Sequence, residues 1–192
     1  MHSKKERVDR RVLYTKMFLR ESLLELMKKK RIHEITMTEL CEHADINPKT
    51  FYTHYKNVED LLASIEDDFC SKIQESIHMY ASPHSVRDIL AAEYRVFEAN
   101  MDICTAFFAE HNFPRFSQKL SALIHDTCIQ LWKSAGISDD RGTLELLFAF
   151  YAHSGLTVVR EWVLNTPKED TEQLAALIEQ AGMLGLNSFV QP

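Results

Sequence analysis

Glycine and proline are scarce, with five of each in 192 residues. Such scarcity excludes a turn-rich β architecture and argues against disorder, so the class expected is all-α. None of the four cysteines (Cys41, Cys70, Cys104, Cys128) forms a CxxC pair; their separations are 29, 34 and 24 residues. A zinc knuckle or a thioredoxin-like site therefore has no support. The charged opening MHSKKERVDRR is followed by no apolar signal core, so secretion is not expected. The longest uncharged run, Leu146 to Val159, has 14 residues, short of the ~20 that a spanning helix needs. Free thiols in a reducing cytoplasm, with no membrane partner, are the expectation.

Catalytic and metal signatures are missing as well. Glycine-rich phosphate loops are absent, and the nine histidines are scattered without a paired base and nucleophile. Glu75 and His78 make one Glu-x-x-His pair, whereas a di-iron bundle needs two. The acidic run Glu66, Asp67, Asp68 lacks the spacing of a metal-binding motif and reads as a solvated helix face. No catalytic residue, metal ligand or cofactor is assigned, and an enzyme is not expected.

What is present is an uneven charge. Residues 1–56 carry 13 Lys and Arg against 8 Asp and Glu, a balance of +5; residues 57–192 carry 9 against 20, a balance of −11. The basic excess marks the N-terminal third as the part suited to a polyanion.

Periodicity organises the chain into about nine helices. The first spans about 9–30, where Leu13, Met17, Leu24 and Met27 share a face at spacings of 4, 7 and 3. It closes on KKKR, cations at the negative end of the helix dipole. Thr36 and Glu39 have the pattern of a capping box before a short helix from Met37 to Ala44, with Leu40 and Cys41 inward. Asp45-Ile46-Asn47 turns the chain. Asn47 as N-cap and Pro48 at the first helical position start a second short helix, ending near Tyr55. Asn57 and Asp60 cap a long helix with Leu61, Ile65, Phe69, Ile73 and Ile77 at four-residue steps, which the stretch ASPH closes. Helices over about 85–100, 103–109, 114–135, 140–165 and 168–189 follow, the first opened by Ser85 and Asp88.

Two short helices joined by a tight turn and packed on a longer one make a helix-turn-helix unit. In INPKTFYTHYKN (46–57), Phe51 and Tyr55 are i, i+4 neighbours expected to point inward. Lys49 and Thr53 form the opposite pair, with Pro48 and Tyr52 beside them. Lys49 suits a guanine edge or a phosphate, and the Thr53 methyl and hydroxyl suit a base edge. Tyr52, His54 and Lys56 suit phosphate oxygens, and the helix start at Thr36 offers another phosphate seat. The competing reading makes all three rings core and Lys49 an incidental surface charge.

The run ITMTELCEHADINPKTFYTHYKNVEDLL resembles the N-terminal signature of the TetR family of bacterial transcriptional regulators over roughly residues 10–62. The resemblance implies a helical homodimer that binds a palindromic operator and is released by a ligand in its C-terminal domain. It carries DNA-facing roles onto Thr50, Tyr52, His54 and Lys56, alongside Thr36, Thr38, Asn47, Pro48, Lys49 and Thr53. Many members have glycine where Lys49 stands and Lys or Arg where Pro48 stands, so Lys49 is the residue expected to be peculiar to this operator. FYAHSGLTVVREWVLNT is similar to a TetR subgroup that includes dihydroxyacetone-kinase-associated regulators, some of which are coactivators.

The expected division is a DNA-binding domain over 1–57 and a ligand-binding and dimerisation domain over 58–192, joined by the long helix. The helix over 140–165 is apolar nearly all round, as is a helix buried by its own domain and a partner. Gly155, Ala181 and Gly185 permit close approach. Phe148, Gly155, Val159, Trp162, Leu174, Leu177, Ile178, Ala181, Leu184 and Gly185 are the expected interface of a two-fold, four-helix dimer. Aromatic and sulfur side chains crowd residues 94–132. With Tyr151 they give a candidate effector pocket of Phe97, Met101, Phe108, Phe116, His125, Cys128, Trp132 and Tyr151. The plain alternative is that they are core.

The function expected is ligand-responsive, sequence-specific DNA binding, as a repressor on a pseudo-palindromic operator. The alternative is a coactivator acting through a partner regulator or kinase.

Overall fold

A computed structural model describes residues 10–80, 86–109, 111–134, 136–165 and 171–186, with side chains for all of these except 78–80, 86–90 and 182–186. Among the described residues there are nine α-helices and no strand: α1 (Arg10–Met27), α2 (Met37–Ala44), α3 (Pro48–Tyr52), α4 (Val58–Tyr80), α5 (Val86–Ala99), α6 (Met101–Phe107), α7 (Phe113–Ser134), α8 (Arg141–Leu164) and α9 (Thr171–Leu186). The chain divides into two compact units, 1–68 and 69–192, so the boundary falls inside α4. The Ser85 cap and the ASPH stretch lie outside the described residues.

In the first unit, Leu19, Leu23, Leu24 and Met27 of α1 are buried with Leu40, Phe51, Leu61, Leu62 and Ile65. The stripe differs from the expected one, because Leu13 and Met17 are exposed. Together with Tyr14 and Phe18, whose rings stack at 6.5 Å, they lie on the two turns of α1 that precede its buried segment. A 3₁₀ turn, Ile32–Glu34, was not expected; Glu34 closes it by accepting the Arg31 amide at 2.8 Å and Ile32 is buried.

In the second unit five rings pack together. Phe69 of α4 lies 5.6 Å from Phe97 and 5.7 Å from Phe116, and Phe116 lies 4.5 Å from Phe107 and 5.6 Å from Phe108. Arg160 ties α8 to the α6–α7 corner: its Nε donates to the Phe108 carbonyl at 3.0 Å and its guanidinium stands over the Phe113 ring. An Arg95–Glu172 ion pair joins α5 to α9. By length and hydropathy α8 could also cross a bilayer, a test that a core helix passes as well. Seven of its residues, from Leu144 to Val163, are buried in the unit.

Candidate nucleic-acid interface and effector region

Each end of the two short helices is fixed by a local hydrogen bond that the sequence dictates. The Thr36 hydroxyl accepts the Glu39 amide at 3.1 Å, starting α2. The expected reciprocal bond is replaced, since the Glu39 carboxylate takes Lys30 Nζ at 2.5 Å and so ties α2 to the end of α1. Asp45 ends α2 in the left-handed region, φ 53, where Asp and Asn are better tolerated than most residues. Asn47 Oδ1 accepts the Lys49 amide at 2.8 Å and Pro48 follows, so α3 begins where expected. α3 ends at Tyr52, a turn before the expected Tyr55. Tyr55 is still drawn back, its amide donating to the Phe51 carbonyl at 3.0 Å. Asn57 Oδ1 accepts the Asp60 amide at 2.8 Å while Asp60 accepts the Lys56 amide at 2.9 Å, a reciprocal cap for α4.

These constraints sort the side chains. Phe51 is fully buried, and Tyr55 is buried against it with ring centroids 5.9 Å apart. Burial pushes the Tyr55 phenol upward, and its hydroxyl meets Ser64. Tyr52, its ring edge-on to Phe51 at 5.7 Å, is 58% exposed. Thr36, Thr38, Asn47, Pro48, Lys49, Thr53 and Lys56 are exposed; Thr50 and His54 are half-buried. The reading in which all three rings are core is therefore excluded. One chemical expectation changes: the Thr53 hydroxyl donates to the Thr50 carbonyl at 2.6 Å, so it offers a neighbour its methyl and an acceptor oxygen, not a proton.

The candidate pocket residues fall into two groups. Phe97, Phe108 and Phe116 are buried in the packed ring cluster. A sequence cannot tell rings that fill a space from rings that line one. Met101, His125, Cys128, Trp132 and Tyr151 are half-buried. His125 bonds Glu145 at 2.8 Å and Asp126 at 2.9 Å and sits edge-on to Phe148 at 4.7 Å. Its pKa is raised by those carboxylates, Glu145 first. Trp132 and Tyr151 rings meet at 5.9 Å.

The candidate interface residues also differ in exposure. Phe148, Val159, Trp162 and Leu174 are buried within the chain's own unit, because a helix apolar on every side gives no periodic clue to its inward face. Gly155 is half-buried, with nothing within 4 Å of where a Cβ would stand. Leu177 is exposed at 61%, Ala181 is exposed and Ile178 half-buried. Leu184 and Gly185 lie in α9, but their side chains lie outside the described residues. Surface apolar residues outside the expected interface set include Leu146 at 75%, Phe150 at 66% and Val158. A groove of about 330 Å³ between α8 and α9 is lined by Val158, Glu161, Trp162, Asn165, Gln173, Leu174 and Leu177.

The family model described as a transcriptional regulator C-terminal region, of the TetR class, matches residues 85–182, just over half of the chain. The chain is 28% identical over 112 residues to the HTH-type transcriptional regulator YxbF of Bacillus subtilis, a match covering 58% of this chain and 27% of that protein. It is 29% identical over 69 residues to the dhaKLM operon transcriptional activator DhaS of Lactococcus lactis, covering 35% of this chain and 37% of that one. The chain thus spans well under half the length of both relatives. A TetR transcriptional regulator from Streptococcus agalactiae shares the fold, with a TM-score of 0.64 at 20% identity over 95% of this chain and 97% of that one. The relatives are regulators of transcription, not enzymes. This chain, with a helix-turn-helix at its N-terminus and the family's C-terminal region behind it, belongs to the TetR family of DNA-binding transcriptional regulators.

Proposed function

We propose that residues 1–57 bind double-stranded operator DNA and that residues 58–192 dimerise and hold a small-molecule effector that controls that binding, with repression as the default action in the cytoplasm. The observation that carries the DNA half is the division of α3 and its flank. Phe51 and Tyr55 hold the segment to its unit, while Tyr52, Lys49, Thr53 and Lys56 stand outside it. Lys49 reads a base edge or a phosphate. Thr36, Thr38, Asn47, Pro48, Thr50, Tyr52, His54 and Lys56 fix register on the backbone, and Thr53 presents its methyl.

The dimer half rests on Leu146, Phe150, Val158 and Leu177, large apolar side chains left on the surface of α8 and α9. Two recognition helices related by a two-fold axis read half-sites in successive major grooves, about 34–36 Å apart, so a dimer would demand a pseudo-palindromic operator. Selection from a random double-stranded pool tests the reading. The wild type should enrich an inverted repeat, and Lys49→Ala and Tyr52→Ala should lose it. A pool that stays random would overturn it.

The likeness to DhaS, named as an activator, favours a second reading in which the bound chain activates. Transcription from the selected operator, with and without the protein, separates the two.

A further inference from the structure

The first turns of α1 leave an apolar face on the surface. Leu13, Tyr14, Met17 and Phe18 are each between 40% and 56% exposed, and the Tyr14 and Phe18 rings stack at 6.5 Å. Single exposed apolar residues are ordinary on a soluble protein. Four side by side along one helix mark a surface built to be covered.

Two charges share that face. At 3.6 residues per turn, Arg10, Leu13, Tyr14, Met17, Phe18 and Glu21 fall within an arc of about 140°. Arg10 and Glu21 are exposed, and neither has a hydrogen bond or an ion pair among the described residues. The next acid along α1, Glu25, is already held by Lys28 at 2.6 Å.

The six residues are also symmetric. Arg10 and Glu21, Leu13 and Phe18, and Tyr14 and Met17 are each centred on the bond between Thr15 and Lys16. A two-fold axis through that point, perpendicular to the helix, lays a second copy of α1 antiparallel on the first. Leu13 then meets the partner's Phe18, and Tyr14 meets the partner's Met17. Arg10 meets the partner's Glu21 at both ends of the contact. The charge pattern selects this occupant over others. A polyanion or a strongly acidic protein would be repelled by Glu21, and a basic one by Arg10. A reversed copy of the same helix matches both ends at once.

We propose that this face of α1 pairs two copies of the chain, antiparallel across a two-fold axis, at a contact separate from the strip on α8 and α9. From Arg10 to Glu21 the helix is roughly 16 Å long. Such a stretch buries far less than the about 800 Å² per partner of a standard interface. The contact is therefore weak and reversible, and it joins copies already held close, such as neighbours along one DNA.

Sedimentation velocity of the full chain from about 1 to about 300 µM tests the pairing. The wild type should show a rise in sedimentation coefficient at the upper end, beyond whatever species it forms at the lower. Met17→Glu with Phe18→Glu should keep its circular dichroism, since both positions are exposed, and lose that rise. The charge pair gives a readout that no change within one chain can mimic. Arg10→Glu alone and Glu21→Arg alone each set like charges together at both ends, and each should weaken association by about fivefold. An equimolar mixture of those two variants restores opposite charges at both ends, and should associate to within about twofold of the wild type. A wild type without the rise, or a mixture no more associated than its components, overturns the pairing. Failure of the α8 and α9 reading shows separately, as a monomer at the lowest concentration, and leaves the rise at the upper end in place.

Discussion

His125 of α7 donates from Nε2 to Glu145 of α8 across 2.8 Å, while its Nδ1 engages Asp126 at 2.9 Å. A neutral imidazole has one donor and one acceptor, and both partners are carboxylates, so the two bonds together require the imidazolium. The folded pKa is raised, so this clasp is complete below about 6.5 and is lost as pH rises through the higher folded value. The side chains are partly exposed, so the effect is small. His125 should contribute no more than about 2 °C to the fall in melting temperature from pH 6 to 8, and His125→Gln should shrink that fall by this amount without abolishing it, because Glu93 titrates in the same interval.

Glu93 produces the same direction over a lower window for the opposite reason. Its carboxyl is raised from 4.5 to about 7 by burial, so the folded chain holds a proton that the unfolded chain releases. Stability falls as pH climbs through that interval and is flat above it. Glu93→Gln should be more stable than wild type at pH 8 by about 3 kcal/mol, and equal to it at pH 4. Chemical denaturation at both values checks the sign.

Neighbouring rings should separate folding from DNA binding. Phe51→Ala removes a fully buried ring and should cost about 3–5 kcal/mol. Tyr52→Ala should change stability by less than about 0.5 kcal/mol, yet weaken operator binding at least tenfold. Denaturant melts alongside binding titrations decide the matter, and equal effects on both would show that the two faces are not separate.

The surface apolar strip yields a solution test. Leu146→Glu together with Phe150→Glu should leave a folded chain by circular dichroism that sediments as a monomer while the wild type sediments as a dimer. Operator affinity should fall with it, and the slope of binding against salt should shrink as phosphate contacts are halved.

The cap Asn57→Ala should cost about 1 kcal/mol, because the Asp60 amide then loses its side-chain acceptor. Thermal melts suffice to see it.

Local chemistry was the legible part of this chain. Thr36, Asn47 with Pro48, and Asn57 with Asp60 mark helix starts because each cap needs only residues within four positions. The 3₁₀ turn at Ile32–Glu34 carries no period, and the capture of Glu39 by Lys30 depends on how α1 meets α2, which spacing does not record. Faces were readable where a helix is amphipathic, as on α4 from Leu61 to Ile77. They were unreadable on α8, where Phe148 and Phe150 look alike in sequence and only packing buries the first and exposes the second. Glu93 looks like any helix charge until its spacing to Phe97 and Asn100 is weighed, a signal that was present in the sequence.

α3 is a single helical turn and a half, held by two rings below it and by caps at either end. Among the outward residues of this segment, Asn47 and Thr53 also fasten its ends through their side chains. The positions at 49, 50, 52 and 56 can therefore be exchanged as a set without disturbing what fastens the turn. On the proposed function, a new operator preference would be a matter of retyping a few letters on a fixed mount, and the chain would be retargeted by swapping those residues while a response to small molecules, built elsewhere, is inherited unchanged.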